Sequence, residues 1–557
     1  MAMTQSAVGI AAVVVAIVGL YRLLQVGRRP PGIPPGPPTI PILGNLHLMP
    51  SKDGHRQFSK WAQEYGPIYS LMLGTRTFIV LSSDTAVKDL LDKRSNIYSS
   101  RPDMYVGMDI ASGGLRMLLM PYSGRWRLIH KMIHNILNIK AAVTYVPYQD
   151  LENKFMLLGM LEQPKEFANH IRRYTNSLTT QMVFGFRTLS INDPKLQQLF
   201  TGFEHWAEVA GNAASQLLDL FPVLQSLPDF LVPNHRYAKR LHKKEKELYV
   251  GHWLKAKAGI QAGTTMPCFC VDLVNAQQKE KDWFSDDLAG YTSGSLLEAG
   301  SDTTASELIA FIQAMTVFQD VQKQVQDEID RVVGSSRMPD MEDYANLPLV
   351  RGCVKETLRW MPTNILGVPH SNIQEDQYMG YRIPKDSTVI TNVWTIHMNP
   401  AKFPNPRMFD PTRFLSDKLT IFESVMSSDP GTLHTRSFIF GSGRRVCQGM
   451  HIAERSLFLA ISRLLWAFNF RKAIDPDTGK EITPDVERLT QGLFVLPEKF
   501  DCVIRPRSVE KEEMIRQAWK ESEETLLDPS TGQWQKVPEG MAFSTYEPTK
   551  DAVMGEV

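Results

Sequence analysis

No proline interrupts the chain between Pro267 and Pro339, although 35 prolines are spread over its 557 residues. Proline lacks the backbone N–H and fixes φ, so it breaks helix interiors and sheet centres alike. A long stretch free of it is where a long helix can form. Within that stretch Leu288 to Phe318 carries apolar residues at helical spacing, which predicts one extended helix. Leu347 to Trp360 reads as a second helix, stopped by Pro362, and His451 to Phe468 as a third, apolar enough to be buried. Short β-prone runs at Ile68 to Leu73 and Thr77 to Leu81 flank Gly74-Thr75-Arg76 as a hairpin, with further strands expected at Tyr378 to Ile383 and Thr388 to Trp394. The predicted fold class is mainly α with small β-sheets near one edge, without internal repeats.

The two ends differ from this body. Met1 to Tyr21 contains no charged side chain, and Arg22, Arg28 and Arg29 follow it. A bilayer core takes about 20 such residues, and basic flanks stay cytoplasmic. Residues 1–25 are therefore expected to be a transmembrane anchor with a luminal N-terminus. A cleaved secretory signal would begin with a basic segment, which is absent here. Prolines at 30, 31, 34, 35, 37 and 38 make 26–50 a stiff, extended hinge. Residues 51–507 form the expected catalytic domain, and 508–557 a polar C-terminal extension, peripheral or partly mobile.

A formal net charge of +1 gives no reason to expect nucleic acid as a partner. The five cysteines, at 268, 270, 353, 447 and 502, are too scattered for a disulfide framework and lack zinc-site spacing. A mostly reduced compartment, such as the cytosolic face of a membrane, suits them.

One cysteine stands apart. In Phe440-Gly441-Ser442-Gly443-Arg444-Arg445-Val446-Cys447-Gln448-Gly449, glycines at 441, 443 and 449 permit tight turns and close approach to a flat partner. Cys447 falls just before a helix N-terminus, whose free N–H groups favour an anion. Such donors lower a thiol's pKa, and a bound metal deprotonates it outright. This run resembles the cytochrome P450 signature F-x-x-G-x-R-x-C-x-G at every defined position. The resemblance implies the cytochrome P450 fold, Cys447 as the axial ligand of a haem iron, Phe440 and Gly441 against the haem, and Arg445 pairing with a haem propionate.

Further matches run in family order over about residues 34 to 500. Glu356-Thr357-Leu358-Arg359 resembles the structural E-x-x-R, and Arg413 its third member. Ala299-Gly300-Ser301-Asp302-Thr303-Thr304, on the long helix, resembles A/G-G-x-D/E-T-T. Glycine and threonine weaken a helix interior, and a threonine there can bond back to a carbonyl one turn earlier. Such a sequence suits a helix that kinks or opens for function, packing against a neighbour being the alternative. The resemblance implies that Thr303 hydrogen-bonds dioxygen and Asp302 relays protons. Trp126 begins a W-x-x-x-R-like helix with His130 at the arginine's place, so His130, Arg127 and Lys131 all stay open as the propionate's counter-charge. His370 resembles a further propionate contact.

The implied enzyme is a haem-thiolate monooxygenase using haem b (heme b, iron protoporphyrin IX) and dioxygen. Its electrons are expected from NADPH through a separate NADPH–cytochrome P450 reductase, a flavoprotein, because no flavin or nucleotide motif accompanies the body. The implied pocket draws on Tyr105 to Met120, Leu296 to Gly300, Thr363 to Val368 and Leu493 to Val495, mostly apolar, which suits a hydrophobic or aromatic small molecule. The expected setting is the endoplasmic reticulum membrane, single-pass, with the domain on the cytosolic face, and the expected role is fungal secondary-metabolite biosynthesis. Hydroxylation is the default reaction; phenol coupling, epoxidation or desaturation would use the same residues. A haem-thiolate isomerase and a non-catalytic haem protein are the rival classes.

Overall fold

The computed structural model describes residues 2–232, 234–279, 283–427, 436–541 and 543–548, with side chains from residue 10 onward. The chain begins with helix α1 (Ala2–Gln25). The helices that build the body are α2 (Gly124–Leu137), α3 (Val146–Glu162), α4 (Phe167–Phe184), α5 (Pro194–Gly211), α6 (His235–Gln261), α7 (Asp286–Val317), α8 (Pro348–Trp360) and α9 (Met450–Ala467); α10 (Val509–Leu526) follows near the C-terminus. The three helices foreseen in the sequence are α7, α8 and α9, each within two residues of its expected ends. Ser285 caps α7 by accepting the Leu288 N–H at 3.2 Å, and Asp286 and Asp287 place negative charge where the helix dipole favours it.

The long helix α7 packs against both α4 and α6. Its two halves belong to different cores. Residues up to Leu297 join an apolar cluster with α2, α5 and α6, and residues from Ala305 join one with α4, α8 and α9. Residues 298–304, the glycine–threonine stretch, lie where the cores meet, and an internal cavity opens there.

Strands β1 (Ile68–Leu73) and β2 (Arg76–Leu81) form the expected hairpin, with Ile68 opposite Leu81. With β3 (His370–Ser371) and β6 (Thr388–Thr391) they make a four-stranded sheet in the order β1-β2-β6-β3, where β2 and β6 run parallel. The single strand expected at Tyr378 to Ile383 is instead a small hairpin, β4 (Asp376–Tyr378) and β5 (Tyr381–Ile383), turning at Met379 and Gly380, both with positive φ. The strand at Thr388 ends at Thr391, and Trp394 belongs to a short helix, Val393–His397.

Three expectations about the ends are revised. Among the described residues no helix is long and apolar enough to cross a membrane. A transmembrane reading of 1–25 is therefore not carried by the fold. The proline-rich segment is not a free spacer, because it lies along β1. Ser70 donates its N–H to the Pro35 carbonyl at 2.7 Å and its hydroxyl to Pro34 at 2.6 Å, while Arg29 binds Gly36 and Pro37 carbonyls at 2.9 Å. A Cβ on Gly36 would lie 2.0 Å from the Ser70 carbonyl oxygen, so glycine is what admits this contact. The C-terminal extension is also docked. Helix α10 lies on α3, with Ile515 and Trp519 buried, and Trp534 beyond it packs at a tilt against Tyr148 and donates to Gln181 Oε1 at 2.5 Å.

Candidate active site

The loop before α9 turns through Gly441 and Gly443, with φ of +75° and +62°. A Cβ on Gly443 would sit 2.0 Å from the Leu91 carbonyl oxygen, so only glycine lets the loop seat against residues 88–93. There the Gly443 N–H donates to Asp92 Oδ1 at 2.7 Å, and Arg436 pairs with the same carboxylate at 2.6 Å. Gly449 is different. Its φ of −81° suits any residue, and a Cβ there would make ordinary contact, 3.7 Å from Cys447 Sγ. The Cys447 N–H donates to the Phe440 carbonyl at 2.8 Å.

Cys447 is exposed, but to an internal cavity rather than to bulk water. Removal from water pushes its pKa up, while the N–H groups of Gly449 and Met450, at the start of α9, pull it down. The cavity has a volume of about 290 Å3, at the lower edge of the roughly 300–1,000 Å3 of common small-molecule pockets. Its walls are Phe440 and 445–449 from the cysteine loop, Trp126, His130 and Ile133 from α2, Thr175 and Thr179 from α4, and Ala299, Gly300, Thr303 and Thr304 from α7. Met117, Leu118 and Leu296 also line it. The segments Thr363 to Val368 and Leu493 to Val495, expected at the pocket, are not among its lining residues.

Cations line this cavity without acids to neutralise them. Arg445 gives its hydrogen bonds to the carbonyls of Ser99 at 2.8 Å and Met120 at 2.6 Å, and its guanidinium lies 4.0 Å over the Trp126 ring. Burial lowers its pKa to about 9. Among the described residues Arg101, 7% exposed, binds only the carbonyls of Leu118, Val368 and Pro369. Among the described residues neither arginine has a salt-bridge partner. Buried charges are ordinarily paired, so two guanidiniums facing one space mark an anion-binding wall.

His130 lies against Trp126 with ring centroids 4.5 Å apart, and its Nε2 is buried with no hydrogen-bond partner among the described residues. Burial, then His134 and Arg445, push its pKa down to about 4, so near neutrality it offers a hydrogen bond and not a charge. Arg127 and Lys131 project to solvent on the other side of α2. Of the three candidates left open by the sequence, only His130 reaches the cavity. His370 is buried one layer back, with Nδ1 2.7 Å from the Tyr98 carbonyl; burial and the nearby Arg101 hold it neutral.

Across the cavity, α7 is continuous through 299–304. Thr303 Oγ1 donates to the Ala299 carbonyl at 2.8 Å, the expected back-bond. The helix is additionally gripped from α4: Thr175 donates to the Ser301 carbonyl at 2.6 Å, and Asn176 to the Ser301 hydroxyl at 3.1 Å. A Cβ on Gly300 would lie 2.5 Å from Thr179 Oγ1, so close helix packing accounts for that glycine. Asp302 is not among the residues that line the cavity. Burial raises its pKa to about 6, against the pull of Arg172.

Behind the cysteine loop, Arg359 donates Nε and Nη2 to the two Glu356 oxygens, each at 2.6 Å, and Arg413 approaches the same carboxylate at 3.4 Å. Arg359 also binds the His397 carbonyl at 3.1 Å. His397 Nε2 in turn accepts the Phe438 N–H at 3.0 Å, two residues before Phe440. The E-x-x-R pair thus reaches the thiol loop through one histidine.

This arrangement places a thiol on a helix N-terminus facing a threonine-bearing helix across a cavity walled by unpaired arginines. The family model for cytochrome P450 matches residues 34–500. The chain belongs to the cytochrome P450 family. It is 52% identical to the cytochrome P450 monooxygenase virE of Hypocrea virens, covering 96% of this chain and 95% of that one. It is 50% identical to the cytochrome P450 monooxygenase fogE of Aspergillus ruber and 47% to fsoB of Humicola fuscoatra, each over 96% of this chain and 98% of the relative. The chain is thus an oxidoreductase, a cytochrome P450 monooxygenase, and the family implies haem. The residues present fit that group: an accessible thiol with N–H donors behind it, two unpaired arginines for carboxylates, and an orphaned imidazole nitrogen beside them.

Arg101, Thr175 and Thr179 escaped the reading of this P450 sequence. Arg101 sits in Ser99-Ser100-Arg101-Pro102 with no periodic or motif signal. The two threonines sit in the part of α4, residues 173–184, that is buried on every side, and look like ordinary packing until α7 is laid against them.

Proposed function

We propose that the chain hydroxylates a hydrophobic, aromatic-bearing small molecule in fungal secondary metabolism, with Cys447 as thiolate ligand of haem b and electrons from NADPH by way of a separate flavoprotein reductase. The observation that carries this is the cavity in which Cys447, Thr303 and the acid-free arginines meet. Arg101 and Arg445, with Trp126 and His130, are the residues to hold the propionates. Haem, when bound through a thiolate, supplies activation of dioxygen.

The chain's own groups do the rest. Thr303 presents a hydroxyl to the distal side, and Asp302, whose pKa burial raises to about 6, takes up protons for delivery one residue away. Apolar Leu118, Leu296, Ile133 and Met182 exclude water and favour an apolar guest.

The reading also places the body at a membrane's cytosolic face, that of the endoplasmic reticulum. Exposed Ile10, Val13, Val14, Val15 and Ile17 on α1 support it, as do exposed Ile40, Leu43, Val223, Phe230 and Leu231 on the body. Residues 43 and 220 both bond the turn at Gly74-Thr75, so two of these apolar stretches adjoin.

The test is expression beside a reductase. The reduced protein under carbon monoxide should show the band of thiolate-ligated haem, and Cys447→Ser should abolish it. Thr303→Ala should keep the band while diverting NADPH into peroxide. A wild-type chain without the band, or one that turns over a peroxide substrate without reductase, refutes the proposal.

A further inference from the structure

One buried charged group lies outside the chemistry above. Arg116, 1% exposed, stands on the segment 105–120 that roofs the cavity. Its Nη1 pairs with Glu298 of α7 and its Nη2 with Glu245 of α6. Its Nε donates to Ser112 Oγ at 3.0 Å, and the guanidinium lies 4.0 Å over the Trp206 ring of α5. Trp206 and Ser112 both donate to the Gly107 carbonyl, at 3.0 and 2.9 Å. One side chain therefore ties a loop to three helices.

The neighbours of these residues are the cavity wall. Met117 and Leu118 follow Arg116, and Ser295, Leu296 and Ala299 surround Glu298. On the other side, Glu245 and Trp206 line a separate cleft between α5 and α6. Arg116 thus stands in the partition between the two spaces. Two carboxylates share this one cation, and among the described residues neither has another ion-pair partner. A buried ionic group is a poor way to gain stability compared with apolar packing of the same volume. What it supplies is direction, because a planar guanidinium satisfies two carboxylates only in one orientation.

We propose that Arg116 is a positioning residue that clamps the 105–120 segment over the cavity, so that Met117 and Leu118 form a fixed wall selecting and orienting bulky substrates. This rests on the proposed function, since it concerns the distal space of the same site.

The experiment uses the full-length holoenzyme and two nitrogen ligands read by their spectral shift, imidazole and 4-phenylimidazole. Both need an accessible haem, but only the larger needs the wall. In Arg116→Met the Kd for 4-phenylimidazole should rise roughly tenfold while that for imidazole moves less than about twofold. Backbone hydrogen exchange over 105–120 should quicken. Arg116→Lys, which keeps the charge but cannot span both carboxylates, should restore only part of the discrimination. If Arg116→Met fails to fold, Glu298→Gln should shift the ratio of the two affinities in the same direction. An unchanged ratio, or equal weakening of both ligands, overturns the clamp. A wild-type chain lacking the thiolate-haem band would sink the proposed function instead. In that case exchange over 105–120 still judges the clamp: faster in the variant supports it, unchanged overturns it.

Discussion

Glu356→Gln removes the negative charge that Arg359 faces and leaves nearly the same shape. Glu356 is wholly buried, and Arg359 is 2% exposed, so water does not replace what is lost. Two charge-assisted bonds of 2.6 Å are at stake. Each is worth about 1.5–3 kcal/mol. The glutamine oxygen still accepts one of them, while its amide turns a donor towards a donor. Arg359 keeps two backbone acceptors, His397 at 3.1 Å and Pro406 at 2.8 Å, which softens the loss. The balance lands near 3 kcal/mol, at the low end of the roughly 3–5 kcal/mol for stranding one member of a buried pair. Urea unfolding followed by far-UV circular dichroism reads the shift, and a double-mutant cycle with Arg359→Gln isolates the coupling. Because His397 links Arg359 to Phe438, the variant should also hold less haem per chain, read from the reduced carbon monoxide band. A coupling below about 1 kcal/mol, with full haem content, would show that this pair neither stabilises the body nor supports the thiol loop.

Other outcomes are equally definite. Gly443→Ala combines a positive φ with a clash against the Leu91 carbonyl and should cost more than about 2 kcal/mol and much of the bound haem, whereas Gly449→Ala, with room for its methyl, should stay within about 1 kcal/mol; equal haem content in the two would count against the loop geometry. His252 packs against the rings of both Phe184 and Phe186, and burial holds its pKa down at about 4. Below about pH 6.5 the unfolded chain binds a proton that the folded chain refuses, so stability present above 6.5 is lost as pH falls towards 4. Between pH 7 and 5.5 this amounts to about 1 kcal/mol, and His252→Phe should remove that share of the acid loss, measured as urea midpoints at both pH values. Trp534→Ala removes a buried ring and its bond to Gln181 and should cost about 3–5 kcal/mol; an unchanged melting temperature would mean that the C-terminal segment is not fastened as described.

Much of the centre of this molecule was legible because single residues carried the signal. Absence of proline foretold α7, Pro362 the end of α8, and the glycine–arginine–cysteine spacing the loop that presents Cys447. The misses share a different cause. Prolines at 30–38 announce an extended backbone, but not that Ser70 and Arg29 hold it against β1. In α10 the charges of Glu510 to Glu513 hide Ile515 and Trp519, whose burial depends on a surface built by residues 146–162. Met379-Gly380 split an apparent strand, since a turn needs only two residues able to take positive φ. Arg101 and Arg116 show the limit most plainly: a buried arginine reads like any surface arginine until the carbonyls or carboxylates around it, most of them brought from over a hundred residues away, are in place.

The parallel pairing of β2 with β6 sets Phe78 beside Thr388, 310 positions apart in the chain. During synthesis at about 5–20 residues per second, β2 waits roughly 15–60 s for its neighbour to emerge. For that interval one margin of an apolar hairpin is open to any other extended segment nearby. Recombinant yield should therefore respond to translation speed and to chaperones that shield strands, and insoluble protein from fast expression should begin with this hairpin.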